Sequence, residues 1–426
     1  MERFSALARA RAVIGAVAGA LIVAAPAARG QTPALSLAAA IAAAERESPR
    51  LAARRHAITA AGDRAGRAGQ LPDPKLRIGI DNLPVSGADA WQWNTDFMTM
   101  RRIGVMQDVP NGDKRRAREQ RGAAEREVEQ AAFAATHLAL RRETATAWFD
   151  VAYAERAKRE LERLAGQIEL QREALAPAIA AGRASAADAL ALESALESVR
   201  ERLIDADRAI AKARAQLGAF VRSAAAEPLG AAPDTAQLPQ PRDRLFAELH
   251  AHPELAPYHE RVRLAQSEVA LERTTKTPDW SVELLYGWRS PAFSNMVTLM
   301  FSVDLPIAPG RRQDRDIAAR VAELEQTEAM ADEARRMHEA EVRAALADWD
   351  AAVQRLGRFD TRVLPLARDR ASAALAAYRG GSGTLAGVIE ASRVETEAQL
   401  ARLAAEAERA RAWARLAYLS PAEHQQ

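Results

Sequence analysis

The 426-residue sequence contains no cysteine, which excludes disulfides, thiolate metal sites, thiol nucleophiles and a lipid-bearing N-terminal cysteine. Aromatics are scarce at 5%, although 48% of the residues are apolar. Alanine, glutamate, arginine and leucine dominate instead. A compact enzyme core carries more large apolar side chains, whereas this composition suits long helices packed closely through small ones. There is no Gly-x-Ser-x-Gly, P-loop, dinucleotide fingerprint or HExxH, and the carboxylates are spread along helical stretches at salt-bridge spacing. Neither an enzyme nor a cofactor is expected. Beyond residue 30 no stretch approaches the run of about 20 apolar residues that a membrane-spanning helix needs.

The first thirty residues read as a secretory signal peptide. Arg3, Arg9 and Arg11 form a basic start, residues 13–25 are uncharged and apolar, and Ala28-Arg29-Gly30 offers small residues before a cut between Gly30 and Gln31. A short membrane anchor is the other reading. Removing residues 1–30 takes away four arginines and one glutamate and lowers the formal charge from +2 to −1. A chain so near neutrality gives no electrostatic case for nucleic acid.

The rest of the chain is written twice. Ser48-Pro49-Arg50-Leu51-Ala52 matches His252-Pro253-Glu254-Leu255-Ala256, and Leu71-Pro72-Asp73 matches Thr277-Pro278-Asp279. Asp108-Val109-Pro110 matches Asp304-Leu305-Pro306, each followed by a glycine and an arginine pair (Gly112 with Arg115-Arg116, Gly310 with Arg311-Arg312). Trp148 matches Trp349, and Ala181-Gly182 matches Gly380-Gly381. Leu217 and Phe220 near the end of one half match Leu416 and Tyr418 near the end of the other, and six ordered matches at offsets of about 200 point to an internal duplication. The repeats are assigned to residues 31–222 and 241–420, with a Pro- and Gly-bearing linker at 223–240 and a tail at 421–426. Each repeat reads as a helix of middling length (35–69, 241–275), two strands, a very long helix (114–180, 314–378), a glycine-bearing turn and a last helix (186–221, 385–419).

Val342, Leu346, Trp349, Val353 and Leu356 alternate spacings of four and three, and Leu196, Leu203, Ile210 and Leu217 recur every seven. Such coiled-coil seams want a partner helix. The two shorter helices of each half, laid end to end, match the long one in length. Pro177 and Pro365 are expected to bend their helices.

The strands, about 74–81, 99–107, 280–286 and 296–304, alternate apolar and more polar residues. Leu76, Ile78 and Ile80 interleave with Lys75, Arg77 and Gly79, and Val297, Leu299, Phe301 and Val303 interleave with Thr298, Met300 and Ser302. Segments of about ten alternating residues build outer-membrane barrels, and Trp91, Trp93, Trp280, Tyr286 and Trp288 stand where interfacial aromatics sit. The same pattern also suits a small soluble sheet capping the helices. Four strands cannot close a barrel, which takes about eight.

On the duplication, the strand pairs ending in Asp-Val-Pro and Asp-Leu-Pro, and the turn Tyr378-Arg-Gly-Gly-Ser-Gly-Thr-Leu385, the chain resembles the TolC-like family of outer-membrane efflux proteins. The resemblance implies a mainly α protein with a small β-barrel part. It implies a homotrimer in which four strands per chain share a twelve-stranded barrel in outer-membrane lipid, above a helical tunnel. It also implies two partners, a periplasmic adaptor and an inner-membrane pump of the RND type. The glycine turns become the tip that the adaptor contacts, with Gly182 and Ser185 in the first half answering to Gly381 and Thr384 in the second. Acidic rings that narrow the tip in some members fall on Gly387 and Glu390 here, and Asp188 holds the place of Gly387 in the first half. Asp188 and Glu390 are therefore the pore-constriction candidates, against the plainer reading of carboxylates on a solvated face.

Residues 96–110 look like the branch serving heavy-metal efflux pumps, which makes heavy-metal cations the expected cargo. Drug or protein export is the alternative within this class, and a periplasmic coiled-coil scaffold the alternative outside it. Met98, Met100 and Met106 could serve as soft ligands but read better as apolar filling. His250 and His252 are the one close histidine pair, and no bound metal is expected.

Overall fold

The computed structural model describes residues 34–180, 184–247 and 249–419; the expected leader and Gly182 lie outside the described residues. Ser48 divides the first expected helix in two. Its hydroxyl accepts the Leu51 N–H at 3.3 Å, and Pro49 occupies the first helical position, where an N–H has no intrahelical partner anyway. The result is α1, Leu37–Glu47, and α2, Pro49–Ala68, in place of one helix over 35–69. Strands β1, Lys75–Asp81, and β2, Met100–Val109, follow. Asn111 then caps α3, Gly112–Glu173, with Oδ1 accepting the Lys114 N–H at 2.8 Å. At 62 residues α3 is roughly 90 Å long. The expected long helix breaks at Ala174, and Pro177 falls inside the short α4, Leu175–Ala180. Helix α5, Ala186–Val221, returns alongside α3.

The second half repeats the order with more interruptions. The helix expected over 241–275 is divided into α6, Arg242–Ala247, a 3-10 turn at Leu249–Ala251, and α7, Ala256–Arg273. Pro253 explains the gap, because a residue before proline is pushed out of the helical region. Strands β3, Trp280–Trp288, and β4, Met296–Val303, lead to α8, Gln313–Arg358. A π turn at Phe359–Val363 separates α8 from α9, Leu364–Arg379, and α10, Leu385–Ala417, closes the chain. Pro365 cannot donate to the carbonyl four residues back. The extra residue of the π turn absorbs that defect, with the Leu364 N–H reaching Phe359.

Each long helix is lined along its length by two shorter antiparallel ones. In the first half Arg50 meets Glu143 at 2.6 Å and Arg64 meets Glu125 at 3.0 Å, which lays α2 on the N-terminal part of α3. Lys158 meets Asp207 at 2.6 Å and Arg200 meets Glu169 at 3.3 Å, which lays α5 on the C-terminal part. In the second half Lys276 meets Asp314 at the α7 end, and Arg415–Asp348 and Arg402–Asp360 fasten α10 further along.

The two tryptophans do equivalent work. Trp148 is fully buried and donates its indole N–H to the Leu35 carbonyl at 2.9 Å; Trp349 donates to the Thr235 carbonyl at 3.4 Å. Around Trp148 a core joins α1, α3, α5 and α10 through Phe149, Val151, Leu217 and Ala410. Segment 223–240 contributes to that core instead of crossing it loosely. Leu35 and Leu229 form a parallel bridge, with Leu35 N–H on Pro228 O at 2.7 Å and Gly230 N–H on Leu35 O at 3.0 Å.

The four strands form one antiparallel sheet in the order β1-β2-β3-β4. Ile78 lies opposite Ile103, Val105 opposite Leu284, and Leu284 opposite Leu299. Both halves thus contribute to one sheet, with β1 and β4 at its edges.

Candidate functional site

The period of two sorts the sheet into two unlike faces. One carries Leu76, Ile78, Ile103, Val105, Leu284, Tyr286, Val297, Leu299, Phe301 and Val303, all exposed, with Ile78 at 74% and Phe301 at 66%. The other carries charge in cross-strand pairs: Lys75 with Asp108 at 2.6 Å, Arg102 with Asp81 at 2.6 Å and Arg77 with Glu283 at 3.6 Å. Met100 and Met106 belong to this polar face, and Met106 Sδ accepts from Arg77 Nη2 at 3.2 Å. Met98 lies before β2, its carbonyl 3.4 Å from Asn82 Nδ2. The three methionines therefore do not converge on one point. Uncovered apolar area of this extent is foreign to a soluble monomer surface.

Where strand meets helix, Asp279 ties the halves together. It accepts from the Asn111 N–H at 2.9 Å, from Asn111 Nδ2 at 3.0 Å and from Lys114 Nζ at 2.5 Å. Burial pushes its carboxyl up, but Lys114 and the Asn111 donors prevail and hold it below the usual aspartate range.

At the opposite end the helices flanking the first turn pack against those flanking the second. Leu385 and Tyr378 pack with Leu192, Ala184 and Leu196 in a single cluster that also holds Leu164 and Ile168. The opening of the second turn depends on two glycines. Gly381 has φ +75°, and a Cβ at Gly383 would lie 2.9 Å from the Tyr378 nitrogen. Ser382 and Gly383 N–H both reach the Ala377 carbonyl at 3.0 Å. Thr384 then caps α10 through the Gly387 N–H at 3.2 Å. Ser185 caps α5 in the equivalent way, and Asp188 answers with a reciprocal bond. Its Oδ2 accepts both the Ser185 N–H and hydroxyl at 2.8 Å, completing a capping box. These bonds, the backbone one foremost, hold the Asp188 carboxyl below its usual range. Glu390 is lowered by its two hydrogen bonds from Arg393, each 2.9 Å.

One cluster escaped the sequence reading. His252 Nδ1 and His338 Nε2 are 2.8 Å apart, and both rings are buried. His338 Nδ1 faces Glu254 Oε2 at 3.3 Å, and Glu254 Oε1 takes Arg142 Nη1 at 2.5 Å. Burial pushes the Glu254 carboxyl up, and the bonds from His338 and Arg142 outweigh it, leaving a net lowering. The available signal was His338 and Glu341 three apart on one helix face; 84 residues separate Glu254 from His338 in sequence, and only the fold joins them.

No known family profile matches the sequence, and no curated protein sequence matches it either. Solved structures do resemble the fold. A membrane protein from Pseudomonas aeruginosa superimposes with a TM-score of 0.77 at 17% identity, over 90% of this chain and 90% of that one. CusC, whose structures concern folding and transmembrane channel formation, gives 0.75 at 15% identity, over 91% and 92%. The open state of the MtrE outer membrane channel of Neisseria gonorrhoeae gives 0.75 at 17%, over 90% and 88%. The chain has an outer-membrane channel fold. The match takes in sheet and shaft together, so the apolar strand face and the paired-helix rod belong to one architecture. Mostly helical, with a small antiparallel sheet, it has the mainly α composition with a minor β part expected from the sequence.

Proposed function

We propose that this chain is the outer-membrane duct of a tripartite efflux system. It forms a passive exit for substrates delivered by an inner-membrane pump through a periplasmic adaptor. The observation that carries this reading is the sheet. It has a largely apolar, exposed face, a charged opposite face, and two edge strands, β1 and β4, without sheet partners among the described residues. In lipid an open edge is not tolerated, and four strands cannot close alone. Copies must therefore pair β4 to β1 until the sheet closes. Three copies give twelve strands, the number that the family resemblance implies. Carrying the β2–β3 register over by the repeat opposes Val303 to Leu76, Phe301 to Ile78 and Leu299 to Ile80 in a neighbouring copy. That register keeps apolar residues on one face all the way round, which supports it.

The leader at 1–30 exports the chain, and the sheet sits in the outer membrane with the helical shaft in the periplasm. The repeats lie at 31–222 and 241–420. The tip turns, Gly182 and Ser185 with Gly381 and Thr384, are the adaptor contact. Asp188 and Glu390 are the constriction carboxylates. We assign heavy-metal cations as cargo on the resemblance of residues 96–110.

Because the chain has no cysteine, paired cysteines test the register cleanly. Phe301→Cys with Ile78→Cys should crosslink into a covalent trimer in outer-membrane fractions. Within one chain these positions are three strand spacings apart sideways and four residues out of register, more than about 14 Å and beyond disulfide reach. A soluble periplasmic monomer with no crosslink would refute the duct.

A further inference from the structure

We infer that Glu254, His338 and Glu341 form a binding site for one divalent cation of the zinc class, built into the helical framework. The inference goes beyond the duct reading and does not depend on it. The donor atoms come from two separate segments. His338 and Glu341 lie on α8, and Glu254 lies in the loop that leads into α7. One ligand atom from each lies within 4.8 Å of the others.

The geometry is close to what such an ion asks. Metal–nitrogen and metal–oxygen bonds of about 2.0–2.1 Å put the donors of a tetrahedral site about 3.3 Å apart. His338 Nδ1 is 3.3 Å from Glu254 Oε2 and 4.0 Å from Glu341 Oε2. Glu341 needs only a small rotation to close the gap. Its side chain is 71% exposed and free to make it, while His338, 5% exposed, is held in place.

The histidine is held by its partner. With Nε2 against His252 Nδ1 at 2.8 Å, His338 presents Nδ1 as its ligand atom. A ligating imidazole is ordinarily fixed in this manner, its second nitrogen donating to a neighbour that sets tautomer and ring angle. His252 is thus a positioning residue. With a cation on His338 Nδ1, the His338 Nε2–H donates to His252 Nδ1, and His252 carries its proton on Nε2.

Charge agrees. Arg142 occupies Glu254 Oε1 and leaves Oε2 for the ion. Arg415, which lines the same cavity of about 340 Å³, is paired with Asp348 at 3.1 Å. Two carboxylates against Arg142 leave one net negative charge beside a neutral imidazole, which suits a divalent cation. An imidazole with two carboxylates favours zinc, nickel or cobalt over magnesium, which prefers an all-oxygen shell. The cavity gives the fourth position to water. The ion would clamp the start of α7 to α8 and belongs to the framework, not to the cargo.

The test is calorimetric titration of zinc into the detergent-purified, chelator-stripped full chain. One ion per chain is expected, unaffected by excess magnesium, with a raised thermal midpoint. Glu341→Gln and His252→Gln should each weaken binding by about tenfold or more, and His338→Gln should abolish it. His259→Gln, at an exposed histidine outside the cluster, should leave it unchanged. Glu341 is exposed, so its variant folds and decides the matter even if His338→Gln does not. Absence of zinc uptake by the wild-type chain, or uptake equal in wild type and Glu341→Gln, overturns the site.

Discussion

The two halves share a plan and differ in what stands at equivalent places. In the first, Ser48 caps α2 and the chain continues in one direct helix; in the second, His252 stands at that place, buried against His338, and the helix reduces to fragments before α7. The first long helix runs 62 residues without interruption, whereas a π turn breaks the second after 46. Asp188 closes a capping box on α5, where α10 has Gly387 and a single bond from its N–H to Thr384 Oγ1. The scaffold of a duplicated chain is preserved by pairing and burial. Its polar positions are free to diverge, because each cap or buried histidine is satisfied by one or two partners of its own, near in sequence for Ser48 and far for His252.

The sharpest way to break the comparison is at the tryptophans. Trp148→Ala should cost about 3–5 kcal/mol in denaturant unfolding of the detergent-purified protein. Trp349→Ala should cost less, because Trp349 is 9% exposed and its indole bond is longer, 3.4 Å against 2.9 Å. Equal losses would show that the two cores are energetically alike.

The next effect is at the strand–helix corner. Asp279→Ala removes an acceptor shared by Lys114 and Asn111 and should cost about 1–3 kcal/mol at neutral pH. The folded carboxyl is held below its unfolded value, so protonation favours the unfolded chain. The contribution is complete above about pH 4, the ordinary aspartate range, and is lost as pH falls through the lower folded value. The wild-type advantage over Asp279→Ala should therefore shrink only on the acid limb. Asp73, its counterpart, is exposed in the single chain. Asp73→Ala should change the stability of the proposed assembly alone.

The smallest effect is at the second glycine turn. Gly381→Ala forces a Cβ into φ +75° and should cost about 1 kcal/mol, while Gly380→Ala, at φ −79°, should be close to neutral. Equal responses would mean that the turn rearranges at no cost.

Much of the architecture was legible beforehand, for physical reasons that can be named. Strand alternation marks two-faced strands, so Leu76, Ile78 and Ile80 could be placed on one face before any pairing was known. Heptad spacing marks helices that need partners, which α2, α5, α7 and α10 supply. Helix breaks were less legible. Pro177 drew attention to itself, yet α3 ends at Glu173, and the break at Ser48 depends on a cap that competes with an otherwise continuous helical pattern. Ser185 and Thr384 stand out in the sequence as turn residues; that they cap α5 and α10, and that the Asp188 carboxylate turns back onto Ser185, comes from the structure.

The sequence by itself determined the periods: two for the strands, three and four for the helices, and about two hundred for the duplication. Those are local or repeated along the chain, and side-chain chemistry writes them directly. Tertiary structure alone decided the meetings: Trp148 with Leu35, Asp279 with Lys114, and His338 with His252 and Glu254. Such contacts join residues far apart in sequence. Their partners are selected by which helices pack together, and that choice is made by the buried surface as a whole.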